Sequence, residues 1–179
     1  MILETKFAFN IVFIQELSWL TIYAILSLKN RDVEELVGIP NHSNWLTFVN
    51  MSLSINNYLR VITYVNIRLS SFWFSLCKDI FYHRDISLIS FFNNNNILFF
   101  INIYSDSLQS ALKYLKGTEV DIHNVLVMTG DFNIRNSLWD LLYLHYSTHS
   151  NFLIDIMDSF SLGLSYSTNS IPTRYSDNN

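Results

Sequence analysis

Residues 125–140 read VLVMTGDFNIRNSLWD. A short, mostly apolar run reaches Gly130, and the polar groups follow at once: Asp131, then Phe132, then Asn133. A β-favouring run closed by a glycine is a strand pattern, expected here over residues 124–130. An acid and an amide two residues apart at its end admit two readings. One is a turn in which short polar side chains satisfy the local backbone. The other is a site where a rigid strand presents a carboxylate and a carboxamide to a phosphate and a metal ion.

Similar runs recur on both sides of this stretch. Residues 10–15 form a strand that stops at Glu16, and residues 60–67, RVITYVNI, alternate in a strand-like way. ISLISFF and ILFFINIY flank four asparagines at residues 93–96. Asparagine tolerates the left-handed backbone of tight turns, so the whole reads as a β-hairpin. The near-continuous apolar character of its two arms implies burial on both faces. A helix is expected over 107–117, with Leu108, Leu112 and Leu115 on one face, Asp106 capping its start and Gly117 its end. A second is expected over 151–162, capped by Ser150. Strands dominate and helices arrive between them, as in an α+β domain whose helices cover sheets.

The 179 residues are enough for one domain with a real core. Half the residues are hydrophobic and 15% are charged, which is apolar for a globular chain. The net charge of -4 excludes a global basic field, so contact with a polyanion would need a local patch. Arg60, Arg68, Lys78 and Arg84 fall in one central region and are the candidates, against the plainer reading of scattered solvated charges. Cys77 is the single cysteine and sits in an apolar stretch, so an internal disulfide is excluded and a reducing, intracellular setting fits. No short basic start precedes an apolar region with a small-residue cleavage site, so a secretory signal is not expected. Residues 7–28 are long and apolar enough to test as a membrane span, but Asn10, Gln15 and Glu16 interrupt them. A charge at the centre of a span costs roughly 2.5–3.5 kcal/mol, which favours a strand followed by a separate apolar segment.

FIQE at residues 13–16, NIYSD at 102–106 and GDFN at 130–133 resemble motifs of the endonuclease/exonuclease/phosphatase family. The likeness is nearest to the apurinic-type endonuclease domain of fungal non-LTR retrotransposons. VGIPNHSNW, RVITYVNIRL, HRDISLISFF, the long segment from Trp139 to Leu164 and IPTRY follow in the same order. The resemblance implies a two-sheet β-sandwich flanked by helices and magnesium- or manganese-dependent hydrolysis of a DNA phosphodiester. It assigns Glu16 to the metal, Asp131 to the attacking water, Asn133 to the scissile phosphate and Tyr104 to a phosphate contact. It also implies a nuclear site of action if the chain works as a retrotransposon endonuclease.

The sequence departs from that pattern at both ends. The family's opening strand with its metal-organising Asn has no counterpart, and neither do its closing Asp-bearing strand and Ser-Asp-His motif. Leu17 and Ser18 stand where the family has a Pro-containing turn. A truncated domain is therefore expected, with little or no activity and with exposed strand edges that promote self-association. The alternatives are a non-catalytic remnant or interaction module and, more remotely, a membrane-associated protein. His145 and His149 are four residues apart but sit in a loop-like sequence without a nearby carboxylate, so solvated histidines are expected there.

Overall fold

The computed structural model describes residues 10–15, 23–26, 34–37, 42–50, 60–69, 72–93, 96–118, 122–134 and 148–163. In chain order these form β1 (Ile11–Gln15), β2 (Tyr23–Leu26), β3 (Glu34–Val37), β4 (Trp45–Phe48), β5 (Val61–Asn66), a 3-10 turn (Ile67–Leu69), β6 (Trp73–Leu76), β7 (Ile86–Asn93), β8 (Asn96–Tyr104), α1 (Ser110–Gly117), β9 (Val125–Asp131) and α2 (Thr148–Ser159). One sheet has the order β1-β5-β4 and the other β6-β7-β8-β9, while β2 and β3 form a separate two-stranded ribbon. All described pairings are antiparallel except that of β8 with β9, which is parallel. The architecture is the expected α+β sandwich.

The two main sheets face each other, and strand alternation decides what each residue meets. In β8, Phe99, Ile101 and Ile103 join the cluster that also holds Ala111, Leu112 and Leu115 of α1 and Leu153 and Ile156 of α2. The helices thus cover the outer face of the four-stranded sheet. The alternate residues turn inward. Phe100 stands 6.5 Å, ring to ring, from Phe13 of β1. Asn102 bonds to β5, and the guanidinium of Arg60 lies over Tyr104. A second cluster, Trp45, Val49, Ile62 and Tyr64 with Val12 and Ile14, fills the opposite face of the three-stranded sheet. Both arms of the hairpin are largely buried where they meet these layers, as their apolar runs imply.

Several boundaries shift from their expected positions. The hairpin pairs Asn93 with Asn96, as the asparagine tract requires. Helix α1 begins at Ser110, three residues later than expected, because Gln109 takes a left-handed backbone (φ 58°). Leu108 therefore precedes the helix and is exposed. Asp106 still serves the helix start, accepting from both the backbone N–H and the hydroxyl of Ser110 at 3.0 Å. Helix α2 begins at Thr148, so Ser150 is buried inside the helix and His149 lies in its first turn rather than in a loop. His149 packs near the Phe152 ring. His145 lies outside the described residues. Strands β2, β3, β4 and β6 were not expected from pattern alone.

Candidate functional site

The parallel pairing of β8 with β9 sets Tyr104 opposite Asp131 in register. Partners opposite one another share a face of the sheet. The ladder continues one step further, since the Ser105 N–H donates to the Asp131 carbonyl at 2.8 Å. Gly130 makes this approach possible: a side-chain Cβ there would overlap the Ile103 carbonyl. The Asn133 amide then donates to the Ser105 carbonyl at 2.8 Å. Gln109 closes the ring, its amide donating to the Asn133 carbonyl at 3.5 Å while its oxygen accepts from the buried Ser105 hydroxyl at 2.8 Å. Asp131, Asn133 and Tyr104 are thus gathered at the ends of two neighbouring strands.

The turn reading of the Asp-Phe-Asn stretch is realised. The Asn133 backbone N–H donates to Asp131 Oδ1 at 3.1 Å, which is a side-chain-supported turn. Asn133 itself is left-handed, with φ 49°, a conformation that asparagine accepts more readily than most residues. Asp131 Oδ2 accepts no hydrogen bond among the described residues, and the Asn133 side-chain amide donates there to one partner, the Ser105 carbonyl. The turn orients the site instead of using up its polar groups.

Glu16 lies outside the described residues. Gln15, its chain neighbour, is placed by its own contacts. Its amide donates to Asn102 Oδ1 at 2.6 Å, and the Asn102 amide reaches the Ile62 carbonyl at 3.0 Å, Thr63 Oγ1 at 3.3 Å and the Ile14 carbonyl at 3.4 Å. Asn102 is fully buried and two residues from Tyr104. The end of β1 is therefore fastened to the same strand that carries Tyr104.

Two charged residues join the site that motif reading did not single out. Asp85 precedes β7 and continues its pairing, accepting from the Tyr104 N–H at 2.9 Å through its carbonyl. Its carboxylate is fully buried. Arg60 Nε stands 3.5 Å from Asp85 Oδ1, close enough for an ion pair but not aligned as a hydrogen bond. Arg84 Nε donates to Asp85 Oδ2 at 3.4 Å. Burial raises the Asp85 pKa above the ordinary carboxylate value, with Arg60, Arg84 and His83 opposing the rise. Burial also lowers the pKa of His83, against the pull of Asp85. The sequence signal was present, since Arg60 and Arg84 were both candidate phosphate-facing cations. Their convergence on one carboxylate depends on the packing of two sheets, which no local pattern encodes.

The described residues thus form an α+β sandwich of two facing sheets, with helices on one outer face and polar residues collected at strand ends. The endonuclease domain of TRAS1, a telomere-specific non-LTR retrotransposon, superposes on 84% of this chain with a TM-score of 0.55 and 12% sequence identity. The chain spans 57% of the length of that domain structure. The fold is thus that of a non-LTR retrotransposon endonuclease, in agreement with the resemblance read from the motifs. No family model matches the chain, and no curated protein sequence does.

Proposed function

We propose that the chain is a metal-dependent endonuclease-type phosphodiesterase domain acting on DNA. The observation that carries this reading is the last rung of the β8–β9 pair, which sets Asp131 beside Tyr104 and ties Asn133 to Ser105. The donor set fits a hard divalent cation. It offers carboxylate and amide oxygens, and magnesium binds through one or two carboxylates while keeping several waters. Among the described residues no three acidic, His or Cys side chains cluster as a closed cation cage. An open, water-rich site held by Glu16, the next residue after Gln15, suits the chemistry better. The ion, magnesium or manganese, would neutralise charge on the phosphate. Asp131 orients the attacking water and takes its proton, Asn133 donates its remaining amide hydrogen to a phosphate oxygen, and Tyr104 borders the phosphate.

The test is nicking of supercoiled plasmid by the purified chain with and without magnesium. Asp131→Ala should lower the magnesium-dependent rate by about 10²–10⁴-fold, the usual size of an acid–base contribution. Slow nicking is expected from the 179-residue chain, because none of its five histidines occupies a Ser-Asp-His motif. A rate that Asp131→Ala leaves untouched would show that the activity comes from elsewhere. Action on chromosomal DNA would place the protein in the nucleus.

A second reading, self-association, has its own observation. Strand β6 is at the edge of its sheet among the described residues, and there Trp73, 79% exposed, stands opposite Phe92, also exposed. An apolar pair on a strand edge is a docking hazard that charges ordinarily suppress.

A further inference from the structure

We propose that Arg60 grips a DNA phosphate next to the reacting one, with Asp85 as its anchor and the Tyr104 ring as its platform. This inference rests on the endonuclease reading and adds a binding residue to it. Arg60 enters from the start of β5, in the opposite sheet from Tyr104 and Asp131. Its guanidinium carbon is 5.0 Å from the centre of the Tyr104 ring, within the range of a cation–π contact. Its Nε faces the buried Asp85 carboxylate. Two sides of the planar group are thereby fixed. The terminal amino groups donate to nothing among the described residues, and the side chain remains 26% exposed.

A fixed guanidinium with its outer fork open is suited to a phosphate, which it can hold through two parallel hydrogen bonds. The register supplies the direction. Tyr104 is opposite Asp131, so a phosphate on the open side of Arg60 lies along the edge where Asp131 and Asn133 end. Local charge agrees. One buried carboxylate serves two guanidiniums, those of Arg60 and Arg84, so the trio keeps a surplus positive charge. Among the described residues Asp106, which accepts from Ser110, also feels Arg60 and offsets part of this charge. In a chain of net charge -4, a local cation of this kind is what a polyanion would need.

The experiment is fluorescence anisotropy of a labelled DNA duplex with the purified chain in EDTA, titrated over a range of salt. Arg60→Gln should weaken binding about tenfold, and the slope of log affinity against log salt should fall by about 0.9, one phosphate's worth. Arg60→Lys, which keeps the charge but not the fork, should retain the slope and recover only part of the affinity. Near-ultraviolet circular dichroism of each variant reports folding, and the Lys variant guards against a fold loss in the Gln variant. If Arg60→Gln keeps the wild-type slope, the inference fails, while magnesium-dependent nicking sensitive to Asp131→Ala would leave the endonuclease reading standing. If the unaltered chain neither binds nor nicks DNA, both fail together.

Discussion

Replacing Gly130 by alanine probes the step on which the site's geometry depends. The added Cβ would overlap the Ile103 carbonyl oxygen, and it would lie 2.9 Å from the carbonyl carbon and 3.2 Å from the Ile103 Cβ. Carbon atoms pack at about 3.5–4.0 Å, so relief requires β8 and β9 to part by roughly 1 Å. The obstacle is backbone and cannot swing aside. Such a shift would stretch the 2.8 Å bond from Ser105 to the Asp131 carbonyl past useful length, along with a neighbouring ladder bond. Two lost bonds cost roughly 1–3 kcal/mol. Overpacking strain adds about 1–3 kcal/mol. A loss of roughly 2–6 kcal/mol is large against a typical stability of about 5–15 kcal/mol. At about 2–4 °C per kcal/mol for a chain of this size, the melting temperature should fall by on the order of 10 °C. Urea denaturation followed by circular dichroism measures the loss directly. Gly117→Ala is the matched control, since nothing lies within 4 Å of the Cβ it would add. That change should be neutral or stabilising by up to about 1 kcal/mol. Equal stabilities for the two variants, or a Gly130→Ala protein within about 0.5 kcal/mol of the parent, would refute the close strand approach that places Asp131 beside Tyr104.

Asn102→Leu should destabilise the chain by roughly 2–4 kcal/mol in the same denaturation assay, because it strands the Gln15 amide and empties a buried polar bridge. Acid stability should report Asp106: burial works to raise its pKa, but the two Ser110 donors and Arg60 outweigh it and hold it below the ordinary 3.8. Its contribution is therefore present above that value and lost as pH falls through the lower folded value, and Asp106→Asn should flatten this acid limb. Asp85 has the opposite sign: its folded pKa is raised, so its charged form costs stability as pH climbs from 3.8 through the raised value, and Asp85→Asn should lessen that decline. Trp73→Lys should shift the chain toward monomer in light scattering after size exclusion, and an unchanged mass distribution would clear this edge of any role in association.

Much of the four-stranded sheet was legible in the sequence because its strands are long and strongly patterned. The arms of the hairpin and the run into Gly130 each carry enough apolar residues to be recognised alone. The four-residue strands β2, β3, β4 and β6 are too short for a period to declare itself, and their pairing is a tertiary matter. Leucine spacing misled at Leu108: its phase agreed with Leu112 and Leu115, but hydrophobic phase carries no information about the left-handed turn at Gln109. Asp131, Asn133 and Tyr104, assigned through motifs, lie together at the ends of two neighbouring strands, while Asp85 could not be separated from an ordinary loop acid. Its importance comes from complete burial between two arginines, one of them 25 residues earlier in the sequence.

That burial has a consequence for how the site holds its shape. A carboxylate removed from water is costly unless its charge is met, and removing one partner of a buried pair leaves the other uncompensated. Asp85 is met from two directions: by Arg84, its immediate neighbour, and by Arg60 from the opposite sheet. Arg84 would follow Asp85 in almost any packing of the chain. Arg60 meets it only when the two sheets face each other in the observed register. Asn102 obeys the same logic one residue pair deeper, since its bonds to Ile62, Thr63 and Gln15 exist only in that register. Apolar contacts such as Phe13 with Phe100 would tolerate a slip of the sheets with modest loss. The polar bridges would not, because each would leave a buried group without a partner. The apolar layers thus provide most of the attraction between the sheets, while Asn102 and the Asp85–Arg60 pair select the one alignment in which the ends of β1, β8 and β9 meet.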